Sequence, residues 1–366
     1  MKVLFVITSL EIGGAQSQVL NLAERLSTRG HKIMIAYLTG LVSITPNNPD
    51  VYVVPIGISK SPLGFIRGYL RLRRLIIDFK PDVVHSHMVH ANLLSRLERL
   101  TTKILWLVCT AHNTKEGGRL RMLAYRLTDP LADIFTNVSK EAVEAFEIKG
   151  AAPAGRMLAI YNGIDTLKFS PDCHIRDAFR EKSELGSDKI ILAAGRLVEQ
   201  KDYPNLLSAF TKIASKNKNI KLWIIGDGPL RESLESRVAD LGLDKRVTFL
   251  GMRPDNEIPD LMRAADVFVL SSAWEGFGLV VAEAMATERV VIATDSGGVK
   301  ELVGDCGFLV APRDSDALTL ALEKALNMPN EHAEILGKKA RQRIIESFSL
   351  DRAVERWLEI YSPPRM

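Results

Sequence analysis

The stretch 275-EGFGLVVAEAMA-286 places two glutamates and two glycines in a run otherwise apolar enough to be buried. An ionised carboxylate is costly to bury unless a partner takes up its lone pairs. Glu275 and Glu283 are therefore either paired within the fold or kept for a ligand rich in hydroxyls. The residues just before them, 266-DVFVLSS-272, are β-branched and short enough for a strand. "AWEGFG" then turns and "LVVAEAMA" starts a helix. Strand, glycine turn and helix form the unit from which doubly wound sheets are built, and such sheets bind ligands beyond the carboxyl ends of their strands.

The same alternation extends in both directions. "KIILAAGRL", "IKLWIIGDG", "RVTFLG" and "RVVIATD" read as strands. Between and after them "YPNLLSAFTKIASK", "PLRESLESRVADLG" with proline in its first turn, "IPDLMRAA", "DALTLALEKALN" and "HAEILGKKARQRIIESF" read as helices. The first half repeats the plan. Its strands are "KVLFVIT", "HKIMIAYL", "DVYVVPI", "PDVVHSH", "KILWLVCTAH" and "DIFTNVS", and its helices are "AQSQVLNLAERLSTRG", "FIRGYLRLRRLIIDFK" and "ANLLSRLERL". Near-continuous apolar strands separated by helices imply parallel sheets covered on both faces. At 366 residues the chain has room for two such domains. The boundary falls at 161-YNGIDTLKFSPDCH-174, with an Asn-Gly turn, a proline and a change in charge sign. The expected architecture is a domain over 1–168 and a second over 169–349, with the helical segment 350–366 crossing back to the first.

Composition narrows the function classes. No apolar run is as long as a membrane span, and "MKVLFVITSLEIGG" reads better as a buried strand than as a signal peptide. Cys109, Cys173 and Cys306 lack zinc-ligand spacing, so reduced thiols in the cytoplasm are expected. Residues 1–168 hold 21 Lys and Arg against 13 Asp and Glu, while the remainder holds 27 against 31. Within residues 60–126 the ratio is 13 to 4. That basic half points to a solvated face, or to an anionic membrane or a phosphorylated acceptor. Few aromatics interrupt it, which argues against a nucleic-acid platform.

Polar residues at the strand ends carry the chemistry. Gly13-Gly14 opens a helix whose N-terminal N–H groups suit a phosphate. In 195-GRLVEQKD-202, Arg196 and Lys201 stand on what reads as an exposed loop, a fork and a point charge fit for a diphosphate. Gly276 and Gly278 let the N–H groups of Phe277, Gly278 and Leu279 face an anion. Glu283 lies about 7–8 Å further along that helix, roughly a pyrophosphate with one ring attached. "DSD" at 314–316 precedes an apolar helix and reads as a cap rather than a divalent-metal motif.

In combination these segments resemble the family 4 retaining nucleotide-sugar glycosyltransferases. "EGFGLVVAE" is similar to their Glu–seven residues–Glu motif and "GRLVEQKD" to their phosphate loop. "IYNGID" resembles the interdomain segment, "VVHSH" and "TAHN" the strand-end histidines, and "GGAQ" the N-terminal glycine loop. The resemblance runs over essentially the whole chain in order. It implies the GT-B fold, two Rossmann-like doubly wound α/β domains facing each other across a cleft. It also implies transfer of a sugar from a nucleoside diphosphate sugar, with UDP favoured, to an acceptor hydroxyl with retained configuration.

Carried over, Arg196 and Lys201 bind the diphosphate, Glu283 the ribose and Glu275 the transferred sugar. The N–H groups of 277–279 touch phosphate or sugar, Gly14 lies near the diphosphate, and His112 touches the sugar near the reacting carbon. His87 is open between a buried strand-end histidine and an acceptor contact, and Asn162 is read as a turn residue. No permanent cofactor, metal or nucleic acid is expected. The acceptor is expected to be a lipid-linked glycan of cell-envelope polysaccharide synthesis, O-antigen or capsule, and the protein cytoplasmic or peripheral at the inner face of the membrane. Phe65, Tyr69, Leu72 and Ile76, with Arg67, Arg71 and Arg74 beside them, read equally as a lipid-facing or a sheet-facing helix. A transferase on a small soluble acceptor, a nucleotide-sugar epimerase and a nicotinamide oxidoreductase are the alternatives. The last leaves Glu275 and Glu283 unexplained.

Overall fold

Apolar runs of four to six residues, rich in Val and Ile, satisfy the condition for strands buried on both faces, and the computed structural model places them so. It describes residues 1–59 and 61–362. Lys60 and residues 363–366, the end of the expected crossing segment, lie outside the described residues.

Residues 1–163 and the Leu350–Tyr361 helix form one unit, and Ile164–Ser349 forms the other. Among the described residues the first unit holds β1 (Lys2–Ile7), β2 (Lys32–Tyr37), β3 (Val51–Pro55), β4 (Val83–His87), β5 (Leu107–Ala111), β6 (Ile134–Asn137) and β7 (Met157–Ala159). They pair in parallel in the order β3-β2-β1-β4-β5-β6-β7. The second unit holds β8 (Lys189–Ala194), β9 (Ile220–Ile225), β10 (Val247–Gly251), β11 (Val267–Leu270), β12 (Val290–Thr294) and β13 (Phe308–Val310). They are also parallel, in the order β10-β9-β8-β11-β12-β13. Both orders reverse once, at β1/β4 and at β8/β11. Ligands of doubly wound sheets sit beyond the carboxyl ends at that reversal.

In the first unit the Gly14–Thr28 and Leu350–Tyr361 helices share one core with Phe5, Ile7 and Ile35. Trp357 and Tyr361 are buried there, Arg29 pairs with Asp351 at 3.0 Å, and Trp106 Nε1 donates to the Ile360 carbonyl at 2.9 Å. Burying Val354 alone contributes about 2 kcal/mol. Asn162-Gly163 is not the expected turn. No turn forms at either residue, and a Cβ on Gly163 would come within 2.7 Å of Leu350 Cα. The glycine serves close packing against the returning helix.

The Pro62–Phe79, Val89–Glu98 and Arg119–Thr128 helices share a second core with Leu4, Val6 and Val84. This corrects the lipid-facing stripe. Leu72 and Ile76 are core residues and Tyr69 packs beside them, so that face meets protein except at Phe65, which is exposed. A different stripe, Leu63, Ile66, Leu70 and Ile77, is exposed on the same helix, next to exposed Arg67 and Arg74. The Arg119–Thr128 helix, which periodicity did not suggest, exposes Leu120, Leu123 and Leu127 among three arginines and no acid. In the second unit, Pro229 precedes its helix rather than opening it, since that helix begins at Arg231.

Candidate active site

The loop after β11 delivers Glu275 into the second unit's reversal point, and the loop after β8 delivers Lys201. The expectation of two cations on one exposed loop holds for Arg196 only. Lys201 ends a short 3-10 turn, Glu199–Lys201, and its Nζ donates to Glu275 Oε1 at 2.6 Å. Ser272 Oγ donates to the same oxygen at 2.7 Å, and Gln200 Nε2 binds the Trp274 carbonyl at 2.9 Å and reaches Glu275 Oε2 at 3.5 Å. With both side chains mostly buried, the pair resists solvent screening. Glu275 is thus the glutamate paired within the fold. An ammonium has three donors, which leaves Lys201 able to face a second anion while it holds Glu275.

A third strand end props this loop. Gly297 (φ +61) follows β12, and any Cβ there would meet the Glu275 carbonyl at 2.1 Å. Gly298 N–H donates to the Gly276 carbonyl at 3.1 Å, and Thr294 Oγ1 donates to the Ser272 carbonyl at 2.6 Å. Sequence reading missed Gln200, Ser272, Thr294 and Gly297. The glycine pair of 295-DSGG-298 at a strand end was the available signal.

Gly278 adopts φ +87, a left-handed conformation that favours glycine, and caps the Leu279–Ala286 helix without any side-chain hydrogen bond. Its first N–H groups thus carry the helix's partial positive charge unmasked by a capping side chain. Phe277 contributes backbone only, because its ring is buried against Phe348. Glu283, inside that helix, is the glutamate kept open. Its carboxyl is half-buried and has no hydrogen-bond partner among the described residues. Burial pushes its pKa up to about 8, with Lys168 drawing it down and Asp255 pushing it up. Those two neighbours are ion-paired with each other. Arg196 is exposed and makes no ion pair among the described residues. Asp314 caps the Ser315–Leu326 helix by accepting from the Asp316 and Ala317 N–H groups at 3.1 and 2.8 Å.

In the first unit, Gly14 begins the Gly14–Thr28 helix behind an extended Gly13 with no side-chain cap. His112 follows β5 and is half-buried. Its backbone N–H donates to Glu116 Oε1 at 2.8 Å, and the Tyr125 hydroxyl donates to the other carboxyl oxygen of Glu116 at 2.9 Å. Glu116 was not foreseen; only its place four residues past His112 hinted at it. Burial lowers the His112 pKa to about 4. His87, at the end of β4, is fully buried. Arg196, Lys201, Glu275, Phe277, Gly278, Leu279 and Glu283 are therefore grouped at the ends of β8 and β11. Gly14, His87 and His112 are grouped at the ends of β1, β4 and β5.

Residues 12–168 match the model for Glycosyltransferase Family 4, and residues 175–343 match that for Glycosyl transferases group 1. The chain belongs to glycosyltransferase family 4. This glycosyltransferase is 29% identical over 330 residues to putative glycosyltransferase EpsD of Bacillus subtilis, covering 87% of this chain and 86% of that one. It is 27% identical over 314 residues to a UDP-Gal:α-D-GlcNAc-diphosphoundecaprenol α-1,3-galactosyltransferase of Escherichia coli, covering 81% of this chain and 79% of that one. Among solved structures it superposes on Anabaena HepE in complex with UDP and glucose, with a TM-score of 0.86 and 22% identity over the whole of both chains. The glycosyltransferase therefore has the GT-B fold.

Proposed function

We propose that the protein transfers a sugar from a nucleoside diphosphate sugar, UDP-linked by preference, to an acceptor hydroxyl with retention of configuration. The observation that carries this reading is the open Glu283 carboxyl inside a helix whose N-terminus has no side-chain cap, with the unpaired Arg196 at the adjoining strand end. Glu283 binds the ribose hydroxyls, and Arg196, Lys201 and the N–H groups of 277–279 bind the diphosphate. Glu275, fixed by Lys201 and Ser272, positions the sugar rather than attacking it. From the first unit, Gly14 serves the diphosphate and His112 the sugar.

As the bond from the anomeric carbon to the β-phosphate oxygen breaks, negative charge collects on the leaving diphosphate. Preorganised cations and dipoles stabilise such charge most effectively. The bond from the acceptor oxygen forms on the same face, and the acceptor's proton passes to the departing phosphate. No side-chain nucleophile or metal is required.

The UDP and glucose held by HepE favour a UDP-sugar, and the named acceptor of the E. coli relative favours a lipid-linked glycan of envelope polysaccharide synthesis. No helix among the described residues is long and apolar enough to cross a membrane. The exposed leucines and arginines of the Pro62–Phe79 and Arg119–Thr128 helices support peripheral binding to the anionic inner leaflet. Calorimetry with UDP, GDP and their sugars, with and without EDTA, tests the reading. UDP binding that survives EDTA and disappears in Glu283→Ala is expected. Equal affinity of wild type and variant for UDP would remove the ribose assignment.

A further inference from the structure

β4 carries His85 and His87 two residues apart, so both rings leave the same face of the sheet. His85 uses both ring nitrogens, Nδ1 with the Tyr361 hydroxyl at 2.6 Å and Nε2 with Thr110 Oγ1 at 2.7 Å. It also packs against His87, with ring centroids 3.9 Å apart and the rings tilted by 39°. His87 is 1% exposed, and its Nδ1 lies 2.9 Å from His112 Nε2. The other nitrogen of His87, Nε2, is buried without a hydrogen-bond partner.

Between two neutral imidazoles one nitrogen donates and the other accepts. If His112 Nε2–H donates, His87 must carry its own proton on Nε2, where nothing receives it. If His87 Nδ1–H donates, the orphan is a bare lone pair. Orphaned buried N–H groups are the rarer of the two defects, and a cationic His87 would bury both an unmatched N–H and a charge. We propose that His87 is a positioning residue that holds His112 in the tautomer with its proton on Nδ1, so that His112 presents a hydrogen-bond donor beyond the end of β5.

This has a chemical consequence. The lone pair of His112 is occupied by His87, so His112 cannot serve as a general base. It can donate to a sugar hydroxyl or a phosphate oxygen. Burial keeps both rings neutral, with His85 and His112 further lowering His87. The tautomer rests on the first unit alone, and its effect on transfer rests on the donor contact proposed for His112.

Two-bond 1H–15N spectra of the full chain with labelled histidine test it, with the His112 signals assigned by their loss in His112→Gln. Wild type is expected to show protonated Nδ1 and bare Nε2 at His112. His87→Leu is expected to lose that single tautomer and about tenfold in kcat, with the affinity for UDP unchanged. His87→Asn, whose amide can donate from the Nδ1 position, is expected to recover both the tautomer and most of kcat. Protonated Nε2 at His112 in wild type would overturn the proposal, as would an unchanged His112 tautomer and kcat in a folded His87→Leu. An Nδ1–H tautomer without transfer from any nucleotide sugar would support the tautomer and remove the donor reading.

Discussion

Glu283 and Glu275 are eight residues apart and have opposite electrostatic situations. Folding raises the Glu283 pKa from 4.5 to about 8, so the folded ligand-free protein prefers the protonated form. Its contribution to stability is intact below pH 4.5 and is lost as pH climbs through 8. Glu283→Gln is therefore expected to match wild type in Tm at pH 5 and exceed it at pH 9. If the ionised carboxylate accepts the ribose hydroxyls, UDP affinity should rise by up to about tenfold between pH 7 and 9, and Glu283→Gln should flatten that rise. A flat wild-type profile would count against the ribose role. Lys201 and Arg196 separate by the same logic. Lys201→Ala strands a buried carboxylate, at a cost of about 3–5 kcal/mol, so Tm and turnover should fall together. Adding Glu275→Gln to Lys201→Met should restore most of the Tm and none of the turnover. Arg196→Ala should leave Tm alone and reduce turnover by about tenfold, and thermal melts beside initial rates distinguish the cases. The Lys201–Glu275 bond was not legible in the sequence, because 74 positions separate its partners and only the adjacency of β8 and β11 joins them. The place of Glu283 in the helix was legible, because its distance from the helix start is fixed by helical rise, but not that its carboxyl would be the unpaired one.

Strand and helix patterns were readable where burial was two-sided and long. β7 and β13, three residues each at sheet edges, lie below the length at which an apolar run stands out. The Cys173–Lys182 helix buries no side chain, so it has no periodic stripe to read. The Arg119–Thr128 helix defeated reading for the opposite reason. It buries Met122 and Tyr125 yet leaves leucines on its outer side, Leu120 at 83% and Leu127 at 72% exposed, blurring the contrast between faces. Such exposure is unusual in water, and it matches the Leu63–Ile77 stripe on a helix that shares its core. Both helices are expected to enter a lipid interface. Leu120, Leu123 and Leu127 changed together to Ser should reduce flotation with anionic vesicles while leaving UDP affinity unchanged. Each arginine near the leaflet adds about 1 kcal/mol, so binding should weaken with added salt. Equal flotation of wild type and the triple variant would remove this helix from the membrane reading.

At the scale of the molecule, the first unit is discontinuous in the chain and the second is not. The Leu350–Tyr361 helix supplies Val354, Trp357 and Tyr361 to a core whose other members precede Gly163. Deleting the chain from Leu350 onward should therefore unfold the first unit, exposing dye-binding apolar surface, while the second stays folded and still binds UDP, more weakly for want of the Gly14 contact. Loss of UDP binding in a second unit that stays folded would contradict that independence. The discontinuity also orders biosynthesis. Chains grow at about 5–20 residues per second and units ordinarily mature in the order in which they emerge. Here the unit that starts first must finish last, since Ile164–Ser349 is translated before the missing helix appears. For roughly ten to forty seconds at those rates the nascent first unit carries an uncovered apolar strip. Slow codons or early termination within the second unit would prolong that interval, and the strip is the kind of surface that holdase chaperones bind.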